Sequence, residues 1–178
     1  MTHSLDLGPE AAGNSLLASL RLLERPTAPL APHDPLVPGI FFDFDPDATI
    51  RAEVESRPGN LLSAQFTVEG TARWVALHVQ LGEIDLSDKM IIGLACRSIA
   101  PSSTTFRPCL RTPGEGGFSD TFFRKTAISY AEPSLHLDAL QIETHPELSI
   151  PAPWRELILF FRPETGEIDL QDMRLFTV

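Results

Sequence analysis

Residues 74–81 read Trp-Val-Ala-Leu-His-Val-Gln-Leu, and this stretch decides the fold class. Its odd-numbered positions are all aliphatic, whereas its even-numbered positions carry Trp74, Ala76, His78 and Gln80. Successive side chains of a β-strand point to opposite faces of a sheet. This period of two therefore predicts a strand that is buried on one face only.

The same alternation continues on both sides of this stretch. Residues 62–68 and 90–97 show it most clearly, and shorter apolar segments follow at intervals. The further candidate strands are residues 41–44, 50–54, 105–111, 118–125, 135–142, 156–162 and 167–178. Gly, Pro, Ser or Asp occupy the breaks between them. About ten short strands with hardly any helical pattern predict an all-β, antiparallel sandwich or barrel.

Residues 1–38 differ from this pattern. Leu16, Leu20 and Leu23 have the spacing of one helix face, which predicts a short helix over residues 9–24. Prolines then recur every third residue from Pro26 to Pro38, the period of an extended polyproline II strap. We therefore divide the chain into an N-terminal helix and proline-rich tail (1–38) and a β-domain (39–178). The tail is either a spacer or a segment that docks on a protein partner or on a second copy.

Composition narrows the class of protein. The 178 residues carry 24 acidic and 14 basic side chains, a net charge of −10, which argues against nucleic acid as a partner. No run of about 18 apolar residues is present, so we expect no membrane span. Two cysteines are too few for a disulfide framework.

The first residues lack a secretory pattern, so we expect a cytoplasmic protein or a particle- or surface-associated one.

Two segments carry a family resemblance. Residues 157–163 (LILFFRP) and 166–176 (GEIDLQDMRLF) resemble the C-terminal hairpin of galactose-binding-like jelly rolls. Residues 41–47 (FFDFDPD) resemble the early acidic segment of carbohydrate-binding modules in that superfamily. The resemblance implies a jelly-roll β-sandwich that binds glycans without catalysis, on a concave sheet face or at loop tips.

The resemblance also implies a structural calcium ion near the first and last strands. Its candidate ligands here are Asp43, Asp45 and Asp172, because calcium prefers several oxygen ligands. The alternative is that these aspartates mark turns and sheet edges. No other cofactor is expected.

The polar faces of the predicted strands supply the candidate glycan-binding residues. These are Gln65, Trp74, His78, Gln80, Arg97, Arg107 and Arg111. Residues 97–125 hold five basic and two acidic side chains, a local charge of +3, while the rest of the chain carries −13. Arginine forks suit carboxylates and vicinal hydroxyls, and aromatic faces suit sugar rings. We therefore predict a site for a polar or acidic glycan; the alternative is that the arginines pair with neighbouring acids.

Two other functions remain open at this point. The chain could be a structural or assembly protein of a surface or phage-like particle that docks through residues 1–38. It could also be a lyase-like polysaccharide enzyme using His78, Tyr130 and Arg107. No complete catalytic signature is present, so we expect a non-enzyme.

Overall fold

The computed structural model describes residues 8–178, which form two antiparallel β-sheets and one α-helix. The helix is α1 (Ala11–Leu22). The strands are β1 (Arg25–Leu30), β2 (Pro35–Val37), β3 (Ile40–Phe44), β4 (Thr49–Ser56), β5 (Leu62–Glu69), β6 (Val75–Ile84), β7 (Ile91–Ile99), β8 (Thr104–Gly114), β9 (Gly117–Phe122), β10 (Ala127–Ser129), β11 (Ser134–Gln141), β12 (Ala152–Phe161) and β13 (Gly166–Thr177).

The six-stranded sheet has the order β1-β4-β5-β13-β7-β11. The seven-stranded sheet has the order β10-β8-β12-β6-β3-β2, and β9 pairs with β8 on the same side as β10. Several consecutive strands therefore lie in opposite sheets, and the chain crosses between the two repeatedly. This arrangement confirms the predicted jelly-roll β-sandwich.

The alternation read from the sequence places one face of each sheet in the core. Val75, Leu77, Val79 and Leu81 of β6 are all buried in the main hydrophobic cluster. Four phenylalanine rings tie the two sheets together, with neighbouring centroids 5.6–6.1 Å apart: Phe42, Phe66, Phe106 and Phe161. Aromatic pairs at such separations stabilise a core beyond the area that they bury.

Helix α1 packs against both sheets and is part of the domain. A side chain at Gly13 would lie within 3 Å of methyl groups on Leu81 and Leu175, so the helix approaches β6 and β13 closely because this residue is glycine. Asn14 donates to and accepts from the backbone of Leu175, at 2.9 Å in both cases. No helix within residues 8–178 is long and apolar enough to cross a membrane.

The described part of the predicted N-terminal tail, residues 8–38, packs on the β-domain. Leu17 and Leu20 of the helix are buried in the core of the same domain. The proline-rich segment forms edge strands, β1 beside β4 and β2 beside β3, instead of a free polyproline strap. Edge strands tolerate proline because one side of the strand has no ladder hydrogen bonds to lose. Residues 1–7 lie outside the described part of the chain.

The predicted C-terminal hairpin also differs. LILFFRP lies in β12 and the turn after it, and GEIDLQDMRLF lies in β13. These two strands belong to opposite sheets, since β12 pairs with β6 and β8 whereas β13 pairs with β5 and β7. The sequence of a short turn does not reveal whether the next strand pairs with the strand before it or crosses to the other sheet.

Candidate functional site

Five of the seven predicted binding residues lie on one surface, the face of the seven-stranded sheet that points away from the six-stranded sheet. We call it the outer face. It carries Trp74, just before β6, together with His78 and Gln80 of β6 and Arg107 and Arg111 of β8. In the register of the sheet, β12 lies between β6 and β8 and supplies the central residues of this face.

Gln65 and Arg97 lie elsewhere. They belong to β5 and β7 of the six-stranded sheet, and both side chains are exposed on its far side. The structure therefore does not bring these two together with the other five. Strand periodicity separates buried from exposed faces, but it does not say in which sheet of a sandwich a strand lies.

One row across the outer face is polar and charged. It runs from Gln80 on β6 to Glu156 on β12, Arg111 on β8 and Asp120 on β9, each opposite the next. The Arg111 guanidinium donates to both Asp120 oxygens, at 2.7 and 2.8 Å. Arg111 therefore has a carboxylate partner within the protein, as the alternative interpretation of the arginines expected.

The next row is largely apolar. It contains Phe41, His78, Ile158, Cys109 and Phe122, again from neighbouring strands. The His78 ring is nearly buried, stacks on Phe41 at 4.9 Å, and its Nδ1 lies 3.1 Å from Glu156 Oε2.

Partly exposed rings cover the middle of the outer face. Phe160 and Phe122 lie 5.6 Å apart and, together with Trp74, pack over a small buried cluster on this side of the sheet. The Arg107 guanidinium lies 4.4 Å above the Phe122 ring. Such rings form a flat apolar platform of the kind on which a sugar ring can stack.

A hollow of about 390 Å³ opens at one end of the outer face. Trp154 and Phe118 line it together with the polar groups of Gln80, Arg111 and Glu156. We call it the Trp154 pocket. Phe118 is fixed by Arg111, whose guanidinium lies 3.7 Å from the ring centroid.

Arg155 holds the segment that carries Trp154. Its side chain is completely buried and donates to three backbone carbonyls: Ile84 at 2.6 Å, Leu148 at 3.0 Å and Ile150 at 2.7 Å. The strand register shifts on both sides of Arg155, as in a β-bulge. The bulge turns Arg155 into the core while its neighbour Trp154 stays at the surface.

The titratable groups of the outer face do not form a nucleophilic site. A hydrogen bond with His78 is the main reason that the pKa of Glu156 lies below its usual range, and burial opposes this shift. Burial raises the pKa of the Cys109 thiol to about 12, so this sulfur is not a thiolate near neutral pH. The lyase candidate Tyr130 follows β10 at the sheet edge, away from the central strand β6 that carries His78.

The three predicted calcium ligands do not come together. Asp45 is held by Arg73, whose Nη2 lies 2.7 Å from Oδ1 and whose Nε lies 3.0 Å from Oδ2. Asp43 lies 3.3 Å from the His33 ring nitrogen.

The third aspartate, Asp172, lies in the other sheet and pairs with Arg21 of α1. Within residues 8–178 no group of three His, Cys, Asp or Glu side chains is suited to a metal ion. Calcium binding stays a prediction.

Six residues of the outer face are not among the predicted binding residues: Phe41, Phe118, Phe122, Trp154, Glu156 and Phe160. The period of two in β12, where Glu156 and Phe160 alternate with the core, could have found two of them. Trp154 carries no such signal, because the bulge at Arg155 interrupts the alternation. Its exposure depends on the buried arginine beside it.

Comparison with known proteins places the fold. No protein-family model matches the chain, and no curated protein sequence matches it. Solved structures do: a CBM4 carbohydrate-binding module is 11% identical over 85% of this chain and 95% of that one, with a TM-score of 0.56.

Two further structures agree. A family 11 carbohydrate-binding module from Clostridium thermocellum, in complex with a β-1,3-1,4-mixed-linked tetrasaccharide, is 12% identical over 84% of this chain and 95% of that one, with a TM-score of 0.53. The N-terminal cellulose-binding domain of Cellulomonas fimi β-1,4-glucanase C is 12% identical over 79% and 89%, with a TM-score of 0.53. The chain therefore has the jelly-roll β-sandwich fold of carbohydrate-binding modules.

Proposed function

We propose that this protein is a non-catalytic polysaccharide-binding module that holds a polar or acidic glycan on the outer face. The observation that carries the proposal is the Trp154 pocket, in which two exposed aromatic rings line the same hollow as three planar polar groups. Sugars present apolar ring faces and polar hydroxyl edges, so they need both kinds of contact in one site.

The rest of the outer face supports the same function. Next to the pocket lies the ring platform of Phe122 and Phe160, on which further sugar rings of a chain can stack. Gln80 and Glu156 offer an amide and a carboxylate to sugar hydroxyls, and Arg107 offers a cation to an acidic substituent. The fold supports the proposal as well, since the matched structures are carbohydrate-binding modules.

The N-terminal docking alternative has less support. Of the leucine face on which it depended, Leu20 is buried in the core, and Leu16 and Leu23 are half-buried against the core, so little of that face is available to a partner. The enzyme alternative lacks an assembled acid–base pair at the surface, because His78 is nearly buried and bonded to Glu156.

The proposal is tested by isothermal titration calorimetry against a panel of neutral and acidic polysaccharides. We expect the wild-type chain to bind at least one of them and Trp154→Ala to weaken that binding about tenfold or more, a loss of about 1.4 kcal/mol. Tyr130→Ala is the matched control, because Tyr130 is also exposed (48%, against 36% for Trp154) but lies outside the outer face. Absence of binding to the whole panel, or equal losses in the two variants, contradicts the proposal.

A further inference from the structure

The two arginines of the outer face are not equivalent. The Arg111 guanidinium donates hydrogen bonds to both carboxylate oxygens of Asp120. Arg107 is exposed and stacks on Phe122, and within residues 8–178 its side chain takes part in none of the ion pairs and hydrogen bonds. A guanidinium that stacks through its flat face keeps its N–H edge free for a bidentate contact. Arg107 is thus placed to receive an anion that the protein itself does not supply.

The Trp154 pocket has the opposite character. Its one lining carboxylate is Glu156, and the charge of Arg111 is balanced by Asp120. The other lining arginine, Arg155, is completely buried and donates to backbone carbonyls. Hydrogen bonding from His78 keeps Glu156 ionised near neutral pH. An acidic sugar would meet like charge in this pocket, whereas the hydroxyls of a neutral sugar can donate to the carboxylate.

Arg107 and the pocket are separated along the strand direction. Arg111, at the pocket, and Arg107 are four residues apart on β8, which is about 13 Å at ~3.3 Å per residue. The rings of Phe122 and Phe160 lie between and beside them, with Phe160 directly opposite Arg107 on β12. Within residues 8–178 the outer face therefore offers, in series, a pocket that suits a neutral sugar, an apolar platform and the unpaired cation of Arg107.

We propose that the ligand is a mixed glycan in which only some sugars are acidic. A neutral sugar ring occupies the Trp154 pocket, and a carboxylate or sulfate on a sugar about 13 Å further along binds Arg107. This inference rests on the proposed function. It adds the charge pattern of the ligand and names Arg107 as the residue that recognises the acidic group. A uniformly acidic chain is disfavoured because it would place an anion beside Glu156.

The experiment compares polysaccharides that share a backbone and differ in charge. The pairs are hydroxyethyl with carboxymethyl cellulose of low substitution, and arabinoxylan with glucuronoxylan; cellulose sulfate separates sulfate from carboxylate recognition. Binding is measured by calorimetry for wild type, Arg107→Gln and Arg97→Gln. Arg97 is the matched control, since it is also an exposed arginine with no ion pair to any residue between 8 and 178, but it lies on the other sheet.

We expect the wild-type chain to bind the acidic member of a pair about tenfold more tightly, about 1.4 kcal/mol. Arg107→Gln should remove this preference, change the affinity for the neutral member less than about twofold, and leave the melting temperature unchanged, since an exposed surface group contributes little to stability. Arg97→Gln should retain the preference, and added salt should reduce it in wild type.

Several results would overturn the inference while leaving the proposed function intact. These are a wild-type preference for the neutral members, equal weakening of neutral and acidic binding by Arg107→Gln, and equal effects of Arg107→Gln and Arg97→Gln. Tighter binding of a fully acidic polymer such as polygalacturonate than of glucuronoxylan would also contradict it. Failure of every polysaccharide to bind the wild type would instead overturn the proposed function.

Discussion

Single side chains decide how the outer face is displayed, and Arg155 is the clearest example. It is a completely buried cation that is bonded only to backbone carbonyls within residues 8–178, and its Nε has no partner. Buried arginine is costly unless its donors are used, so three good hydrogen bonds are needed to hold it. It joins the loop before β12 to the end of β6, next to the exposed Trp154.

Replacing this arginine should therefore destabilise the protein strongly. Arg155→Ala removes the donor from two buried carbonyls, at about 1–3 kcal/mol each, and from the part-buried carbonyl of Ile150, so we expect a loss of about 3 kcal/mol or more in the free energy of unfolding. Urea denaturation followed by tryptophan fluorescence measures this loss. Arg51→Ala is the control, since the Arg51–Glu69 pair is exposed and should contribute less than about 1 kcal/mol. Similar losses in both variants would show that Arg155 has no special structural role.

Asp45 makes the free energy of unfolding depend on pH in the acidic range. Hydrogen bonds from Arg73 hold the pKa of this buried carboxylate well below its ordinary value of 3.8. A carboxyl whose pKa is lower in the folded state stabilises the fold above the unfolded-state pKa, and this contribution is lost as the pH falls towards the folded-state pKa. We expect the wild type to lose stability between about pH 5 and pH 2.

The test compares thermal melts of wild type and Asp45→Asn across that range. The variant should be less stable than wild type at neutral pH, and the gap should narrow as the pH falls, because wild type then loses the ionised carboxylate. Asp88→Asn serves as control, since Asp88 is exposed and its ion pair is with the neighbouring Lys89. A constant gap at every pH would rule out this explanation.

At the scale of elements, the helix and the proline-rich segment show how local patterns acquire a different role in the folded domain. The leucine spacing predicted α1 to within two residues at each end. The sequence could not predict what the helix contacts. An amphipathic helix has the same apolar pattern whether it packs on its own domain or on a partner. Gly13 has a low helix propensity, yet it is the residue that allows the close approach to both sheets.

The helix should therefore contribute to the stability of the isolated chain. Leu20→Ala removes a side chain that is 1% exposed, and we expect a loss of about 2–5 kcal/mol. Leu22→Ala, on the same helix but 78% exposed, should cost less than about 1 kcal/mol. Denaturation of the two variants measures the difference. Equal small effects would indicate that the helix is a docking segment, as the alternative interpretation of the sequence proposed.

At the scale of the whole molecule, the sandwich isolates both thiols from solvent. Cys96 and Cys109 are free and buried, and burial raises the pKa of each thiol to about 12. Cys96 lies in the six-stranded sheet and Cys109 in the seven-stranded sheet, so each thiol reports on local opening of a different sheet. Their accessibility measures unfolding of the whole domain.

We expect almost no reaction of the native protein with 5,5′-dithiobis(2-nitrobenzoic acid) at about pH 8, and reaction of both thiols in denaturant. Absorbance of the released thiolate at increasing urea should follow the unfolding transition. Rapid labelling of one cysteine in the native state would show that its sheet opens locally, in contradiction to a single cooperative sandwich.

The local sequence pattern was enough to predict the helix and most of the strands, because alternation and breakers act over a few residues; it did not predict the edge strands β1 and β2 or the short β10. It also pointed to five residues of the outer face, since successive side chains of a strand alternate between its two faces, although one of them, His78, is nearly buried. Which strands share a sheet depends on the tertiary structure, and this separated Gln65 and Arg97 from the other five. The β8–β9 hairpin brings Asp120 to Arg111, and within residues 8–178 the packing of the sheets brings no carboxylate to Arg107. A local charge of +3 is a property of the chain, but which of its cations stays free for a ligand depends on neighbours that only folding brings into contact.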